Sequence, residues 1–336
     1  MARVAINGLG RIGRAALRLI LDSKELDLVA VNDIAPADNI AYLIKYDSVY
    51  GRYGEDVQAK DGTLHVDKKS FKFLSEKDPA ALPWKDLKVD IVIESTGRFT
   101  EKADVEKHIN AGAKYVIISA PTKSEDIPTV VFGVNDSDDN TKIISCASCT
   151  TNSLTPVVEV IGRHLGIQKA IMTTVHGYTA GQGLVDGPGG KGGDLRRGRA
   201  AAVNIVPATT GAAKATTLAL PQYKGKFDGV ALRVPVPVGS VSDVVFLTEK
   251  NTTKEEINEI LTKEAGTDRY RDVIRVTNDE IVSSDIVGDP HACIIDMQMT
   301  KVVDGNLVKI FAWYDNEWGY TNQMIRKAKD IAKSLK

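Results

Sequence analysis

The sequence lacks the features that mark several classes of protein. It has only three cysteines, Cys146, Cys149 and Cys293, an odd number that argues against a disulfide framework and favours a reducing compartment. No apolar stretch approaches the roughly 20 residues that a membrane-spanning helix needs. The first residues run directly into a strand-like segment, without the basic and apolar regions of a signal peptide. We therefore expect a cytoplasmic protein without a membrane partner.

A strong net charge is also missing. The 43 basic and 44 acidic residues nearly cancel, which leaves a formal charge of −1. Such a chain has no overall field that attracts nucleic acid, so we expect no nucleic acid as its primary partner. The hydrophobic fraction of 43% and the charged fraction of 26% are typical of soluble globular domains. Because single cores rarely grow beyond about 250–300 residues, the 336 residues predict two domains.

The first half of the chain alternates short apolar runs with amphipathic segments. Strand-like runs occur at 4–6, 28–31, 91–93 and 115–118, and helical spacing of apolar residues occurs at 14–21, 38–44 and 102–111. Continuous apolar strands separated by helices are typical of a parallel sheet that is covered on both faces. The sequence therefore predicts an α/β fold that begins with a doubly wound Rossmann domain at residues 1–148.

The second half has longer β-rich runs, several of them with alternating polarity, at 170–175, 229–236, 241–247 and 307–314. Alternation predicts a mainly antiparallel sheet with one covered face, and hence an α+β catalytic domain at residues 149–315. Helical spacing in 322–335 predicts a C-terminal helix, and we expect the segment 316–336 to return to the first domain. The glycine-rich stretch 181–199 predicts an extended surface loop of the kind that often carries function.

Gly8, Gly10 and Gly13 form the pattern GxGxxG after a predicted strand and at the start of a predicted helix. In a dinucleotide site these glycines permit the turn, the approach of the backbone to a pyrophosphate, and close packing of helix on strand. Asp33 ends the next strand, where a carboxylate can accept hydrogen bonds from the adenosine ribose. That charge would repel a 2′-phosphate, which favours NAD without excluding NADP. The alternative is a glycine-rich turn with an incidental aspartate.

Cys149 precedes an apolar-periodic run whose composition is typical of a helix start. Near a helix N-terminus, the dipole and the unpaired N–H groups would stabilise a thiolate and lower the thiol pKa, as a nucleophile requires. His176 ends a strand-like run, from which its side chain can project into a cleft, and we expect it to be the base. His291 is ambiguous. The remaining histidines lie among charged or polar residues and are predicted to be surface groups: His65, His108 and His164.

Longer motifs accompany these residues. They are ASCTTN at 147–152, KYDS at 45–48, ESTGRFT at 94–100, DLRR at 194–197, TGAAK at 210–214 and WYDNE at 313–317. Together with the glycine pattern they resemble phosphorylating glyceraldehyde-3-phosphate dehydrogenase from end to end. The resemblance implies oxidation of D-glyceraldehyde 3-phosphate to 1,3-bisphosphoglycerate, through a Cys149 hemithioacetal and thioester, with inorganic phosphate and NAD. It also implies a homotetramer.

The resemblance further implies site residues, carried over by position. The substrate phosphate would contact Thr179 and Arg233, and the attacking phosphate would contact Ser148, Thr150, Arg197, Thr210 and Gly211. Hydroxyls, backbone amides and a guanidinium fork are what phosphate binding requires. The further cofactor contacts would be Arg11, Ile12, Asp33, Thr96, Gly97, Ser119 and Asn316, with Asn316 orienting the carboxamide. The backbone N–H of Cys149 is the expected oxyanion donor.

Some residues depart from the family pattern. Cys146 forms a CxxC pair with Cys149, but the other half of a zinc site is missing, so we expect no metal. Cys146 is either a small buried thiol or the partner of Cys149 in a reversible inhibitory disulfide. The residues at Gly181 and at 235–240, and the glycines that follow Gly181, also differ from the usual sequence of the family.

Two alternative functions stay open from the sequence. An erythrose-4-phosphate dehydrogenase would hydrolyse the thioester with water, although TGAAK at 210–214 argues for the phosphorylating enzymes. A binding protein for nucleic acid or for a partner enzyme is disfavoured by the near-zero net charge and the lack of an aromatic and basic surface motif.

Overall fold

The computed structural model describes residues 1–138, 140–189 and 194–335. The chain divides into two units. One contains Met1–Phe132, the segment from Asp136 to Ala147 and the residues from Met324 onward, and the other contains Gly133–Asn135 and Ser148–Gln323. The final helix therefore starts in the second unit and ends in the first. Within the first unit, Lys329 of this helix lies 3.5 Å from Glu25.

The first unit is built around a sheet whose strands are mostly parallel. Its helices and strands are β1 (Ala2–Asn7), α1 (Arg11–Leu21), β2 (Leu26–Asn32), α2 (Ala37–Lys45), β3 (Tyr46–Asp47), β4 (Gly51–Arg52), β5 (Val57–Lys60), β6 (Thr63–Val66), β7 (Lys69–Leu74), β8 (Ile91–Glu94), α3 (Lys102–Asn110), β9 (Tyr115–Ile118) and β10 (Ile143–Ser145). The strand order is β10-β9-β8-β1-β2-β7-β6-β5. This order confirms the predicted doubly wound Rossmann domain.

The buried residues explain why β1 lies at the centre of this sheet. Val4, Ala5 and Ile6 have no exposed surface, as expected for a strand covered by helices on both faces. Helix α1 begins at Arg11, three residues earlier than the apolar periodicity predicts, because Gly10 is its N-cap. The antiparallel strands β5, β6 and β7 at the sheet edge were not predicted, since their outward residues are charged or polar.

The second unit contains a larger mixed sheet. Its elements are α4 (Cys149–Leu165), β11 (Ile167–Gly177), β12 (Val206–Thr209), α5 (Ala212–Ala219), β13 (Phe227–Val234), β14 (Ser240–Thr248), α6 (Lys254–Ala265), β15 (Ile274–Thr277), β16 (Cys293–Asp296), β17 (Lys301–Val303), β18 (Leu307–Tyr314) and the start of α7 (Trp318–Ser334). The order is β12-β13-β11-β14-β18-β16-β15, with β17 beside β18. Only β11 with β13 and β15 with β16 pair in parallel among these strands, which confirms the predicted mainly antiparallel sheet.

Helix α4 covers one face of this sheet, and the side chains of β11 that point toward that face are buried. Met172, Thr174 and His176 alternate on the covered face and are each 2% exposed or less. Ile171 lies on the opposite face and is 61% exposed. The strand period therefore turns His176 toward α4.

The predicted surface loop follows β11. Its described part contains a 3₁₀ turn at Leu195–Gly198 and an ion pair of 2.9 Å between Arg199 and Asp186. Residues 190–193, which include part of the extra glycines that depart from the family pattern, lie outside the described residues. In the part of the chain that the structure describes, no helix is both long and apolar enough to cross a membrane.

Candidate active site

The glycine-rich turn between β1 and α1 has the geometry of a dinucleotide site. Gly8 has φ +94°, and a Cβ there would lie 2.7 Å from the backbone nitrogen of Thr96. A Cβ on Gly13 would lie 1.9 Å from the Gly8 carbonyl oxygen. A Cβ on Gly10, by contrast, would meet no atom within 4 Å. Gly8 and Gly13 are thus required by the fold, and the bare backbone of Gly10 is left open to a ligand.

Replacement of these glycines by alanine should separate the two requirements. We expect Gly13→Ala to destabilise the protein by about 1–3 kcal/mol or more, because its methyl overlaps backbone. We expect Gly10→Ala to leave stability within about 0.5 kcal/mol but to raise the dissociation constant of NAD at least about tenfold. Urea unfolding and NAD titration calorimetry measure the two effects. Equal NAD affinity in wild type and Gly10→Ala would remove Gly10 from the cofactor site.

Asp33 lies just after the carboxyl end of β2 and lines a cavity of about 410 Å³, which Thr96 also lines. One carboxylate oxygen accepts a hydrogen bond from Leu9 N at 2.7 Å, and the other accepts one from Ala35 N at 2.9 Å. These bonds fix the carboxylate and leave each oxygen a further lone pair. The cavity is lined by Asn7, Gly8, Asn32, Asp33, Ile34, Glu76, Lys77, Thr96, Arg98 and Phe99. Its residues fit the ribose of an adenine dinucleotide.

The other predicted cofactor contacts of the first unit lie at the start of α1 or just after β8 and β9. Gly97 has φ +68° in the turn after β8, and Ser119 donates its N–H to the Glu94 carbonyl at 2.9 Å. Ile12 is in the first turn of α1. Arg11 forms an ion pair of 2.5 Å with Asp47 and stands 5.4 Å from the Tyr50 ring. The Arg11 side chain is therefore held by the protein itself.

A buried polar network beneath this cavity was not predicted. His108 is fully buried, and the prediction that it is a surface group is wrong. Its Nδ1 accepts from Trp84 Nε1 at 2.9 Å, so Nε2 carries the hydrogen and donates to Glu94 Oε2 at 3.1 Å. Asn7 Nδ2 donates to the same carboxylate oxygen at 2.6 Å, and Thr96 N donates to the other at 2.8 Å. The network ties His108 to two residues that line the cavity.

In the second unit, Cys149 is the first residue of α4, as predicted. Ser148 caps the helix, because its hydroxyl accepts a hydrogen bond from Thr151 N at 3.1 Å. Cys149 Sγ lies 3.4 Å from His176 Nε2. The two residues are 27 positions apart in the sequence, so helix α4 and strand β11 must both fold correctly to bring them together.

Burial is the main cause of the pKa shifts of Cys149 and His176. It raises the pKa of the Cys149 thiol, and the charge of Arg233 opposes that shift only in part. Burial, assisted by the Arg233 charge, lowers the pKa of His176 to about 3. The predicted effect of the helix N-terminus is present but smaller than that of burial: the backbone N–H groups of Cys149 and Thr150 lower the thiol pKa, and desolvation raises it by more. Because Nε2 lies within reach of Sγ, the imidazole can take the thiol proton when the sulfur attacks.

The low pKa of His176 has a consequence for stability. Below pH 6.5 the unfolded state binds a proton at this residue that the folded state does not, so its contribution to stability falls as pH decreases toward about 3. The expected slope is about 1.4 kcal/mol per pH unit. His176→Asn should lose this component, so that wild type is destabilised more steeply than the variant in urea titrations at pH 6 to 4. Parallel curves for the two proteins would contradict the assignment, and the exposed His65→Asn serves as control.

Tyr314 is a site residue that the sequence argument did not assign. Its hydroxyl lies 2.8 Å from both Thr150 Oγ1 and Thr174 Oγ1, and its ring meets the His176 ring edge-on with centroids 5.9 Å apart. The tyrosine is 1% exposed, and burial raises its pKa. The Tyr314 ring packs against the imidazole, and the Tyr314 hydroxyl connects it to Thr150 of α4. Its position in the WYDNE motif was the available signal.

Arg233 is brought to the pair by strand register, since it lies opposite His176 in the β11 and β13 pairing. Its Nη1 lies 2.6 Å from His176 Nδ1 and 3.1 Å from the Gly177 carbonyl oxygen. Arg197 is close enough for its charge also to lower the pKa of His176, after the larger effects of burial and Arg233. Arg233 thus contacts the imidazole directly, and Arg197 acts on it through its charge.

The remaining predicted phosphate contacts differ in exposure and in how their polar groups are already bonded. Thr179 and Gly211 are exposed, and Thr210 Oγ1 accepts from Ala212 N at 3.2 Å at the start of α5. Thr150 is only 4% exposed, and its hydroxyl is already bonded to Tyr314. The Asn316 amide oxygen accepts from Gly239 N at 3.1 Å and from Ser240 Oγ at 3.0 Å. These bonds fix the Asn316 amide, so that its NH₂ group is the part left to donate.

The other two cysteines are unlike Cys149. Cys146 and Cys293 are buried, and no cysteine is in a disulfide. Burial raises the pKa of Cys146 to about 12 and also raises that of Cys293. Cys146 is only 3% exposed, whereas Cys149 is half-buried, and this low exposure favours the buried-thiol interpretation of Cys146. The disulfide with Cys149 stays a prediction.

Comparison with known proteins gives a consistent result. A model of the glyceraldehyde 3-phosphate dehydrogenase NAD binding domain matches residues 2–102, and a model of the C-terminal domain of the same family matches residues 148–316. The chain is 52% identical over 327 residues to a glyceraldehyde-3-phosphate dehydrogenase of Streptomyces coelicolor, with 96% of each chain covered. It is 49% identical over 341 residues to one of Clostridium pasteurianum, with 100% of each covered. It is 49% identical over 342 residues to one of Mycobacterium avium, with 99% of each covered.

These matches span both units, and they confirm the resemblance that the motifs indicated. The NAD-binding model covers the glycine turn and Asp33, so NAD is the cofactor. The C-terminal model begins beside Cys149 and includes His176 and Arg233. The chain belongs to the glyceraldehyde-3-phosphate dehydrogenase family and is an NAD-dependent oxidoreductase of glycolysis.

Proposed function

We propose that Cys149 is the nucleophile and His176 the base in the phosphorylating oxidation of D-glyceraldehyde 3-phosphate to 1,3-bisphosphoglycerate. The observation that carries this proposal is the contact of 3.4 Å between Cys149 Sγ and His176 Nε2 at the start of α4. A half-buried thiol in contact with an imidazole whose pKa is strongly shifted is typical of a functional site. No other cysteine among the described residues combines partial exposure with such a neighbour.

The chemistry follows from these positions. As the Cys149 sulfur attacks the aldehyde carbon, His176 Nε2 takes the thiol proton and passes it to the new oxyanion, which gives the hemithioacetal. The first N–H groups of α4, which have no partner within the helix, stabilise that oxyanion. His176 Nε2 then takes the hydroxyl proton as a hydride leaves the same carbon. NAD, when bound, accepts that hydride. The resulting thioester is attacked by inorganic phosphate, which displaces the Cys149 sulfur and gives the acyl phosphate.

We assign the substrate phosphate to Thr179 and Arg233 and the attacking phosphate to Ser148, Thr150, Thr210, Gly211 and Arg197. The structural support for this assignment differs from residue to residue. Arg233 contacts His176 Nδ1, and the charge of Arg197 also acts on His176, which supports a role for both guanidinium groups in binding phosphate near the pair. For Thr150 the hydroxyl is bonded to Tyr314, so its backbone N–H near the start of α4 is the group that suits an anion.

The test is a steady-state assay with D-glyceraldehyde 3-phosphate, with and without inorganic phosphate, with NAD and with NADP. The proposal expects turnover that depends on phosphate, because only phosphate releases the acyl group as an acyl phosphate. Phosphate-independent turnover would remove the phosphorylating assignment and favour hydrolysis by water. The carboxylate of Asp33 should give a higher kcat/KM with NAD than with NADP, and Asp33→Asn should narrow that ratio.

We also propose a cytoplasmic homotetramer. Many large apolar side chains of the second unit are exposed, among them Leu184 and Leu195 of the surface loop and Ile171 and Val230 on the uncovered sheet face. Apolar surface of this extent is typical of subunit contacts. The three free thiols suit a reducing compartment. Sedimentation equilibrium of the purified protein tests the assembly: a single 36.3 kDa species at micromolar concentration would contradict it.

A further inference from the structure

Three buried hydroxyl groups form a short chain that ends beside Cys149. The Tyr314 hydroxyl lies 2.8 Å from Thr174 Oγ1 of β11 and 2.8 Å from Thr150 Oγ1 of α4. Thr174 and Tyr314 are each 1% exposed and Thr150 is 4% exposed, so the protein itself has to supply the hydrogen-bond partners of these groups. One end of the chain lies in the sheet, and the other lies next to the first residue of the helix.

The number of hydrogens fixes the direction of this chain. Each hydroxyl carries one hydrogen, so three hydroxyls carry three, while the two contacts between them use only two. The third hydrogen needs an acceptor outside the chain, because a buried donor without an acceptor is costly. Among the described residues, neither Thr174 Oγ1 nor the Tyr314 hydroxyl has a further hydrogen-bond partner. The third hydrogen therefore belongs to Thr150, and donation runs from Thr174 to Tyr314 to Thr150.

The acceptor that Thr150 finds is the sulfur of Cys149. Burial raises the pKa of the Cys149 thiol, and the charge of Arg233, the Thr150 hydroxyl and the Thr150 N–H oppose that shift. A hydroxyl lowers the pKa of a thiol when it donates its hydrogen to the thiolate. If Thr150 donated to Tyr314 instead, this hydrogen would not be available to the sulfur. The effect on Cys149 thus requires the same direction of donation as the count of hydrogens.

We propose that Tyr314 is a positioning residue for the nucleophile: by donating to Thr150 it turns the Thr150 hydroxyl hydrogen toward Cys149 Sγ, where that hydrogen stabilises negative charge. The inference rests on the proposed function, in which Cys149 attacks the aldehyde. Hydroxyls in a chain polarise one another, so a hydroxyl that accepts a hydrogen bond is a stronger donor to an anion. Two strands of the sheet, β11 and β18, thereby act on the first turn of α4.

The other groups around the sulfur act independently of this hydroxyl. In the second unit, the titratable and charged groups that face Cys149 are His176 from β11, Arg233 from β13 and Tyr314 from β18. Among the described residues, neither His176 nor Arg233 bonds to the Tyr314 hydroxyl. The tyrosine contacts His176 with its ring, and phenylalanine keeps that ring. Replacement by phenylalanine therefore removes the hydroxyl chain and leaves the histidine contact in place.

The consequence for the reaction concerns the sulfur at two stages. The Cys149 sulfur carries negative charge as it attacks the aldehyde carbon. It does so again when a phosphate oxygen bonds to the thioester carbon and the carbon–sulfur bond breaks, leaving its electron pair on the sulfur. One hydrogen bond from Thr150 serves both stages. The Thr150 hydroxyl thus acts on the sulfur, while its backbone N–H is left for the attacking phosphate.

The experiment measures the rate at which iodoacetamide alkylates Cys149 as a function of pH, with mass spectrometry to locate the modification. We expect Tyr314→Phe to move the midpoint of this curve to higher pH. Below the midpoint its rate should fall at least about threefold, because the thiolate population falls about tenfold while the remaining thiolate is intrinsically more nucleophilic. At high pH, where the thiol is fully ionised, the rate should not fall. A decrease that is equal at every pH would indicate altered access to the sulfur and would overturn the proposal.

Tyr270→Phe is the matched control. It also removes a buried tyrosine hydroxyl of the second unit, which donates to Glu159 at 2.7 Å and belongs to no chain that reaches Cys149 among the described residues. Its alkylation curve should coincide with that of wild type. An equal displacement of the midpoint in Tyr270→Phe and Tyr314→Phe would show that loss of any buried hydroxyl has this effect, and the role of Tyr314 would be lost.

A double-mutant cycle tests whether Tyr314 acts through Thr150. Thr150→Ala should move the midpoint in the same direction as Tyr314→Phe, and the double variant should move it no further than Thr150→Ala alone. Thr150→Ser keeps a hydroxyl and should retain the wild-type midpoint. A further displacement by Tyr314→Phe in the Thr150→Ala background would mean that the tyrosine reaches the sulfur by another path, which contradicts the proposal.

A second substitution covers the case in which Tyr314→Phe does not fold. Site-specific 3-fluorotyrosine at position 314 keeps the hydroxyl and makes it a stronger hydrogen-bond donor, so the midpoint should move to lower pH. An unchanged midpoint with 3-fluorotyrosine would contradict the proposed chain.

Failure of this inference is distinguishable from failure of the proposed function. If wild type alkylated at Cys149 still oxidises D-glyceraldehyde 3-phosphate, Cys149 is not the nucleophile and the proposed function fails. If alkylation abolishes turnover but folded Tyr314→Phe gives the wild-type curve, only the role of Tyr314 fails.

Discussion

Cys149→Ser is expected to lose at least about 10⁴-fold in kcat, the largest functional effect of any single change in this chain. Serine keeps the size of the side chain, but its hydroxyl is a far weaker acid than a thiol and gives an ester instead of a thioester. His176, whose pKa is lowered to about 3, cannot draw a proton from such a hydroxyl at neutral pH. Stopped-flow NADH absorbance measures both the first turnover and the steady state.

Cys293→Ala is the matched control for this change. Cys293 is also a thiol of the second unit, but it lies fully buried in β16 and has a raised pKa. Its removal should leave kcat within about twofold and cost only stability, by about 1–2 kcal/mol for the small cavity. A Cys149→Ser protein that binds NAD normally and retains more than a tenth of wild-type turnover would show that another group is the nucleophile.

The sequence predicted those parts of the fold that depend on local pattern. The apolar run around Ala5 and the helical spacing from Arg14 to Leu21 were sufficient for β1 and α1, because both elements bury whole faces. The edge strands β5 to β7 escaped prediction, because half-exposed strands with charged residues lack a clear period. Domain-scale prediction therefore succeeded where burial is strong and continuous.

Site prediction failed where long-range burial overrides local composition. His108 lies in the polar segment KADVEKHIN, yet it is fully buried because Trp84 and Glu94, 24 and 14 residues earlier, fold against it. The thiol pKa of Cys149 was predicted from its helix position, but desolvation by the surrounding sheet has the larger effect. The contact of Arg233 with His176 depends on the register of β11 and β13, which no local pattern reveals.

His108→Leu is expected to destabilise the protein by about 3–5 kcal/mol, the largest effect on stability that the structure indicates outside the backbone. Leucine fills the space but removes the donor to Glu94 and the acceptor for Trp84 Nε1, both of which are buried. A buried carboxylate that loses one of its donors carries most of that cost. The free energy of unfolding from urea titrations, followed by tryptophan fluorescence, measures it.

The variants His108→Gln and His65→Leu show whether the cost arises from the hydrogen bonds. The amide of glutamine offers both a donor and an acceptor, so it should recover part of the stability that leucine loses. His65 is exposed, and its replacement by leucine should stay within about 0.5 kcal/mol of wild type. Because Glu94 also holds Thr96 at the cofactor cavity, His108→Leu should weaken NAD binding along with stability. Equal unfolding midpoints for His108→Leu and His65→Leu would mean that Glu94 finds another donor, and the network would then be a consequence of packing and not a support of the NAD site.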